Sequence, residues 1–208
     1  LLGGMFAGGA GGGGFGGGRR SQRGADLEAR TTLPFRQAVE GSTVSLQVDG
    51  RTVTSRIPAG VRDGQKIRLR GKGRPGLGGA PAGDLVITVT VEPHPVFSIE
   101  GRDLRVTLPV TFAEAALGAQ VDVPTLDGST VRVKVPEGTP SGRTLRVRGR
   151  GVAGGTGAGG HGAGDLLVTV QVAVPQRLSD DARAAVTAFA AATADADVRA
   201  DLRARAGQ

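Results

Sequence analysis

An internal repeat constrains this chain more than any other feature. Aligned on itself, the chain matches Asp26-Leu27 with Asp103-Leu104, Phe35 with Phe112, Ala38 with Ala115 and Gly41 with Gly118, all at an offset of 77. Residues 56–73 (RIPAGVRDGQKIRLRGKG) match 134–151 (KVPEGTPSGRTLRVRGRG) at 78, and Gly83-Asp84-Leu85 matches Gly164-Asp165-Leu166 at 81. Two copies of one domain therefore run in series, over 25–98 and 99–175, and the drift in offset marks loops that tolerate insertion. Residues 1–24 hold twelve Gly around Phe6 and Phe15, too little apolar surface to offset backbone ordering, so they read as a flexible Gly/Phe-rich arm.

Within each copy the period is that of strands. Val44, Leu46 and Val48 alternate with Ser45 and Gln47, and Ile87, Val89 and Val91 alternate with Thr88 and Thr90. Asp49-Gly50 and Asp127-Gly128 are hairpin-turn pairs. FRQAVEG and FAEAALG each predict one short helical turn, ended by Gly41 or Gly118 in a left-handed cap. The fold class is mostly β: two tandem homologous β-sandwich-like domains with aliphatic cores, followed by a C-terminal helix. That helix starts at the cap residue Ser179, with Asp180 and Asp181 complementing its dipole. Leu178, Ala182, Val186 and Phe189 share one stripe, which has to dock on the body or on a second copy of the chain. Residues 176–208 form this helix and a tail, of which Asp195 to Gln208 is expected to fray.

The composition removes several function classes. The 208 residues contain no Cys, which excludes a disulfide framework, a thiolate zinc site and a cysteine nucleophile. His94 and His161 are the only imidazoles and fall in different copies, giving no metal cluster and no acid–base pair. His94 lies between two prolines in EPHPVF, a structural setting. GAGGHG at 157–162 matches a dinucleotide fingerprint but leads into a strand and not a helix, so it reads as a loop. The chain is expected to be neither an enzyme nor a cofactor or metal binder. No apolar run reaches membrane-span length and the start lacks a signal peptide's basic region, so no membrane partner is expected and the location is read as cytoplasmic. The first residue is Leu, not Met, which suggests a piece of a longer protein.

The net charge of +7 comes mostly from Arg. Lys66, Arg68, Arg70, Lys72 and Arg74 form a basic row around Ile67 and Leu69, and Arg143, Arg146, Arg148 and Arg150 repeat it. This row is either a solvated strand face or a candidate anion-binding surface for phosphates, DNA included, or a carboxylate-rich tail.

LPFRQAVEGSTVSLQV, the stretch from IPAGVRDGQ to EGRDL, ALGAQVDVPTLDGSTVRVKVPEG and GDLLVTVQVAVPQRLSDDARAAV stand in an order that resembles the C-terminal substrate-binding region of DnaJ-type J-domain co-chaperones, over about 25–192. The arm resembles that family's Gly/Phe-rich linker. The zinc-binding class of the family carries CxxCxGxG repeats in the first domain's hairpin. Here Val48-Asp49-Gly50-Arg51 closes that hairpin directly, which resembles the zinc-free class, that of the curved-DNA-binding proteins.

The resemblance implies a homodimer held by the C-terminal helix through Leu178, Ala182, Val186 and Phe189. It also implies a peptide groove for unfolded clients lined by Ala29, Thr31, Val44, Leu46, Val48 and Phe97, and delivery to a DnaK-type ATPase through a J domain. His94-Pro95 is followed by Val96, so the J domain's His-Pro-Asp tripeptide is not present. The alternative, from another class, is a nucleic-acid-associated protein using the Arg-rich strands, because some zinc-free relatives bind DNA.

Overall fold

The computed structural model describes residues 21–154, 162–195 and 197–206. Most of the 1–24 arm, and the GAGGHG loop through His161, lie outside the described residues.

The repeat in sequence is a repeat in elements. The first copy runs β1 (Leu27–Leu33), α1 (Phe35–Glu40), β2 (Ser42–Val48), β3 (Arg51–Ile57), β4 (Lys66–Leu69) and β5 (Leu85–Val91). After β6 (Phe97–Glu100) the second copy runs β7 (Asp103–Thr111), α2 (Phe112–Leu117), β8 (Ala119–Pro124), β9 (Thr130–Val135), β10 (Thr144–Val147) and β11 (Leu166–Ala173). Helices α3 (Asp180–Ala192) and α4 (Ala200–Ala206) follow. The sheets correspond too: β1-β5-β4 in the first copy and β10-β11-β7-β6 in the second, with β2-β3 and β8-β9 as separate hairpins.

By packing, the described chain falls into two units. One runs to Val106 and adds Pro124–Ser129 and Arg146–Val168; the other holds Thr107–Val123, Thr130–Leu145 and the residues from Thr169 onward.

In the first unit, β5 is the central strand of its sheet, parallel to β1 from Leu27↔Leu85 to Leu33↔Val91 and antiparallel to β4. The β-branched alternation of LVITVTV buries Leu85, Ile87 and Val89 completely. Leu33, Ala38, Val48, Ile57 and Val61 close around them as one aliphatic core. Asp49 (φ 51°) and Gly50 (φ 74°) turn β2 directly into β3, with Val48 opposite Arg51. Positive φ at both central positions is what the twist of a two-residue hairpin demands.

The short helices end at Gly41 and Gly118, but not in the expected left-handed cap. Gly41 has φ 80° and ψ 152°, and Gly118 has φ 81° and ψ 150°. An extended ψ sends the chain straight into the next strand, and a Cβ on Gly41 would sit 2.9 Å from the Ala59 nitrogen. The free carbonyl of Ala38 is taken by the Gly60 amide at 2.8 Å, and that of Ala116 by Gly138 at 3.2 Å.

In the second unit, α2 has a capping box between Thr111 and Glu114, where α1 has Pro34 and no side-chain cap. Ser179 caps α3 as expected, its Oγ accepting the Ala182 amide at 3.2 Å. The tail departs from expectation: Ala200–Ala206 is helical, since Ala, Leu and Arg are strong helix formers and Asp201 stands in its first turn. No described helix is long and apolar enough to cross a membrane.

Candidate functional site

Strands β1 and β2 are both edges. Among the described strands, β1 pairs only with β5, and β2 only with β3. They come within packing distance of each other. Each has the burial pattern of a strand with one covered face. Ala29 and Leu27 on β1, with Val44 and Leu46 on β2, stay half-buried against the aliphatic core, and Val48 is part of it. Thr31 shares the face of Ala29 and is half-buried as well. Five of the six groove residues read from the sequence therefore lie on two neighbouring open edges. The outward face of the hairpin is polar and paired within itself: Ser45 shares a hydrogen bond with Thr54 at 3.2 Å, and Gln47 donates to Thr52 at 2.7 Å.

Phe97 belongs to a different cluster. It is buried at the start of β6, its ring 5.2 Å from that of His94, which in turn lies 5.3 Å from Phe35. His94 Nδ1 accepts the amides of Val96 and Phe97 at 3.1 and 3.2 Å, so the imidazole pins the turn of the inter-repeat connector. This is the structural setting expected of it.

Two polar atoms in the hairpin were missed in the sequence. The hydroxyls of Ser42 and Ser55 are buried and have no hydrogen-bond partner. Ser55 stands opposite Val44, and Ser42 opposite Ile57, on the face turned to the core. The alternation Val53, Ser55, Ile57 already put Ser55 on that face, which is the signal that would have found it.

The basic row is only partly free. Arg68 Nε donates to Asp84 Oδ2 at 2.7 Å, and Arg74 Nε donates to Asp49 Oδ2 at 3.0 Å. Lys66, Arg70 and Lys72 are exposed and make no ion pair among the described residues. Asp84 is buried and accepts the Gly71 amide at 2.8 Å, and this bond, then Arg68, holds its carboxyl below the ordinary value. Its counterpart Asp165 does the same with the Gly149 amide at 2.7 Å and with Arg146. In that copy too, an arginine of the row is committed to a carboxylate.

On α3 the stripe divides. Leu178 and Ala182 are half-buried, and Phe189 meets Phe112 of α2 edge to face at 5.0 Å. Val186 stays 54% exposed. No cluster of metal-ligating side chains occurs among the described residues.

A duplicated β-domain with an aliphatic core, whose first copy carries two open strand edges backed by half-buried apolar side chains, defines the class of module. The chain belongs to the DnaJ C terminal domain family, whose model matches residues 27–175, from the first residue of β1 to just past β11. It is 58% identical over 152 residues to Chaperone protein DnaJ 1 of Streptomyces coelicolor, covering 73% of this chain and 37% of that protein. It is 59% identical over 133 residues to Chaperone protein DnaJ 2 of Cutibacterium acnes, covering 64% and 34%. To Chaperone protein DnaJ 2 of Nocardia farcinica it is 42% identical over 258 residues, covering 91% and 65%. The chain thus spans between about a third and two thirds of the length of these curated relatives.

Proposed function

We propose that this chain is the client-binding and dimerisation region of a zinc-free DnaJ-type co-chaperone. It holds extended segments of unfolded polypeptide in the cytoplasm, without a cofactor, and presents them to a DnaK-type ATPase. The carrying observation is the pair of open edges, β1 and β2, with Ala29, Thr31, Val44, Leu46 and Val48 half-buried or buried beside them. An added strand satisfies its backbone on such an edge while every second side chain meets apolar surface. Backbone pairing is blind to sequence, which suits a site that takes many clients. Phe97 contributes at one remove, through the connector cluster. Contact with the ATPase runs through a J domain, whose His-Pro-Asp tripeptide these 208 residues do not contain.

The zinc-free assignment rests on the hairpin. A two-residue Asp49-Gly50 turn in paired register leaves no inserted module between β2 and β3. Dimerisation through α3 links two grooves, and a long client bound at both gains from effective concentration.

The test is titration of the chain into a labelled, permanently unfolded protein at low and high salt, with duplex DNA as parallel ligand. Binding to the unfolded protein that survives high salt, with none to DNA, is the expected result. Binding to DNA alone, lost at high salt, overturns it.

A further inference from the structure

We infer that the β4–β5 loop is a latch that fastens the root of the Gly/Phe-rich arm, Gln22–Ala25, onto the first repeat. The arm residues nearest the body are held along their backbone. Gln22 and Leu77 exchange both amide–carbonyl bonds, at 3.2 and 2.9 Å, as an antiparallel bridge. The Gly24 amide donates to the Pro81 carbonyl at 3.0 Å, and the Arg74 amide to the Ala25 carbonyl at 2.9 Å. Arg23 reaches the buried carboxylate of Asp84 at 3.0 Å.

The fit excludes side chains. A Cβ on Gly24 would fall 1.7 Å from the Arg74 carbonyl oxygen, and one on Gly83 would fall 2.2 Å from that of Ala25. Glycines at these points are what let three backbones close on one another. The loop's composition, KGRPGLGGAPAG, then has a purpose that a merely flexible loop would not require.

The second repeat supplies an independent comparison. Val152 donates to the Arg102 carbonyl at 3.0 Å where Arg74 donates to Ala25, and a Cβ on Gly164 would lie 1.8 Å from the Arg102 oxygen. There the gripped segment is the β6–β7 turn, an internal link that folding has to fix. In the first repeat the same grip closes on the arm and is extended by the Gln22–Leu77 bridge and the Arg23–Asp84 pair. Leu77 is 68% exposed, so this extension can open without disturbing the core. The latch makes the arm's root part of the domain, setting the point beside β1 from which the preceding chain departs.

The chain has no Cys, so Ser21→Cys gives a single site for a nitroxide label. The label is expected to tumble several-fold more slowly in the otherwise native chain than with Gly24→Ala. Trypsin is expected to cut after Arg23 at least tenfold more slowly in the native chain than in the variant. Amide exchange across β5 serves as the control that the domain is intact. Should Gly24→Ala disturb β5, Leu77→Pro removes one bridge bond from an exposed site and takes its place. A label equally mobile in all backgrounds, or equal cutting after Arg23 with β5 protected, overturns the latch.

Discussion

Asp26 accepts the backbone amide of Asp84 on its side chain at 2.7 Å, locking the start of β1 to the start of β5 across 58 residues of chain. Asp103 and Asp165 make the same bond at 2.8 Å in the second repeat. Each inner aspartate then spends its own carboxylate on a glycine amide and an arginine. The Asp-Leu and Gly-Asp-Leu matches are thus the two halves of a clamp that ties two neighbouring strands of each repeat, a pair that is parallel in the first.

The clamp makes stability depend on acid. Asp84 and Asp165 have folded pKa values below the ordinary 3.8, so the unfolded chain binds more protons than the folded one at low pH. The stability they contribute is complete above the unfolded value and is lost as pH falls through the folded one. Urea midpoints should therefore be flat from about pH 5 upward and drop below about pH 4. Asp84→Asn should lower the midpoint at pH 7 and show a shallower acid drop. Parallel acid profiles for wild type and variant would contradict the clamp.

Removing the orphan hydroxyl of Ser55 should stabilise the domain. An unpartnered buried hydroxyl costs about 1–3 kcal/mol, while the small void left by a hydrogen in its place costs less, so Ser55→Ala is expected to gain about 1 kcal/mol in urea denaturation. A loss of stability would mean that the hydroxyl has a partner.

Much of this was legible because it is local. Alternation in Val44-Ser45-Leu46-Gln47-Val48 gave the strand and its inward face, Asp49-Gly50 gave the hairpin, and Ser179 gave the helix start. What was not legible depends on residues far apart in sequence. Nothing near Leu27 says that it pairs in parallel with Leu85, or that Gln22 bridges Leu77. Phe35 and Phe112 match in the repeat, yet Phe35 is buried against His94 while Phe112 is 52% exposed against Phe189. Equivalent sequence positions acquired different partners because the flanking segments, a connector and a terminal helix, differ. For the candidate site, the strand period found the β2 face, but the same period describes ordinary core. Only the sheet order showed that both strands are open edges.

On the proposed reading, Leu46→Ser should weaken binding to an unfolded client at least tenfold, about 1.4 kcal/mol, by removing apolar surface beside the β2 edge. Leu46 also packs on the core, so circular dichroism and the urea midpoint have to accompany the binding curve. Thr54→Ser, on the hairpin's outward face, should leave affinity unchanged. Equal affinity for Leu46→Ser and wild type, with both folded, would move the client site away from β2.

The α3 stripe offers two substitutions with different consequences. Phe189 is tied to Phe112 in the same chain, whereas Val186 is 54% exposed with no aromatic partner. Phe189→Ala should therefore loosen the helix from α2, costing about 1 to 2 kcal/mol of docking from the apolar area lost. Val186→Asp should leave that docking intact but place a charge in the surface proposed for association of two chains, at a desolvation cost that strongly favours monomers. Sedimentation equilibrium at matched concentrations separates the two effects. A Val186→Asp chain that remains dimeric, with α3 still docked by the Phe112–Phe189 contact, would place the dimer interface elsewhere than on this stripe.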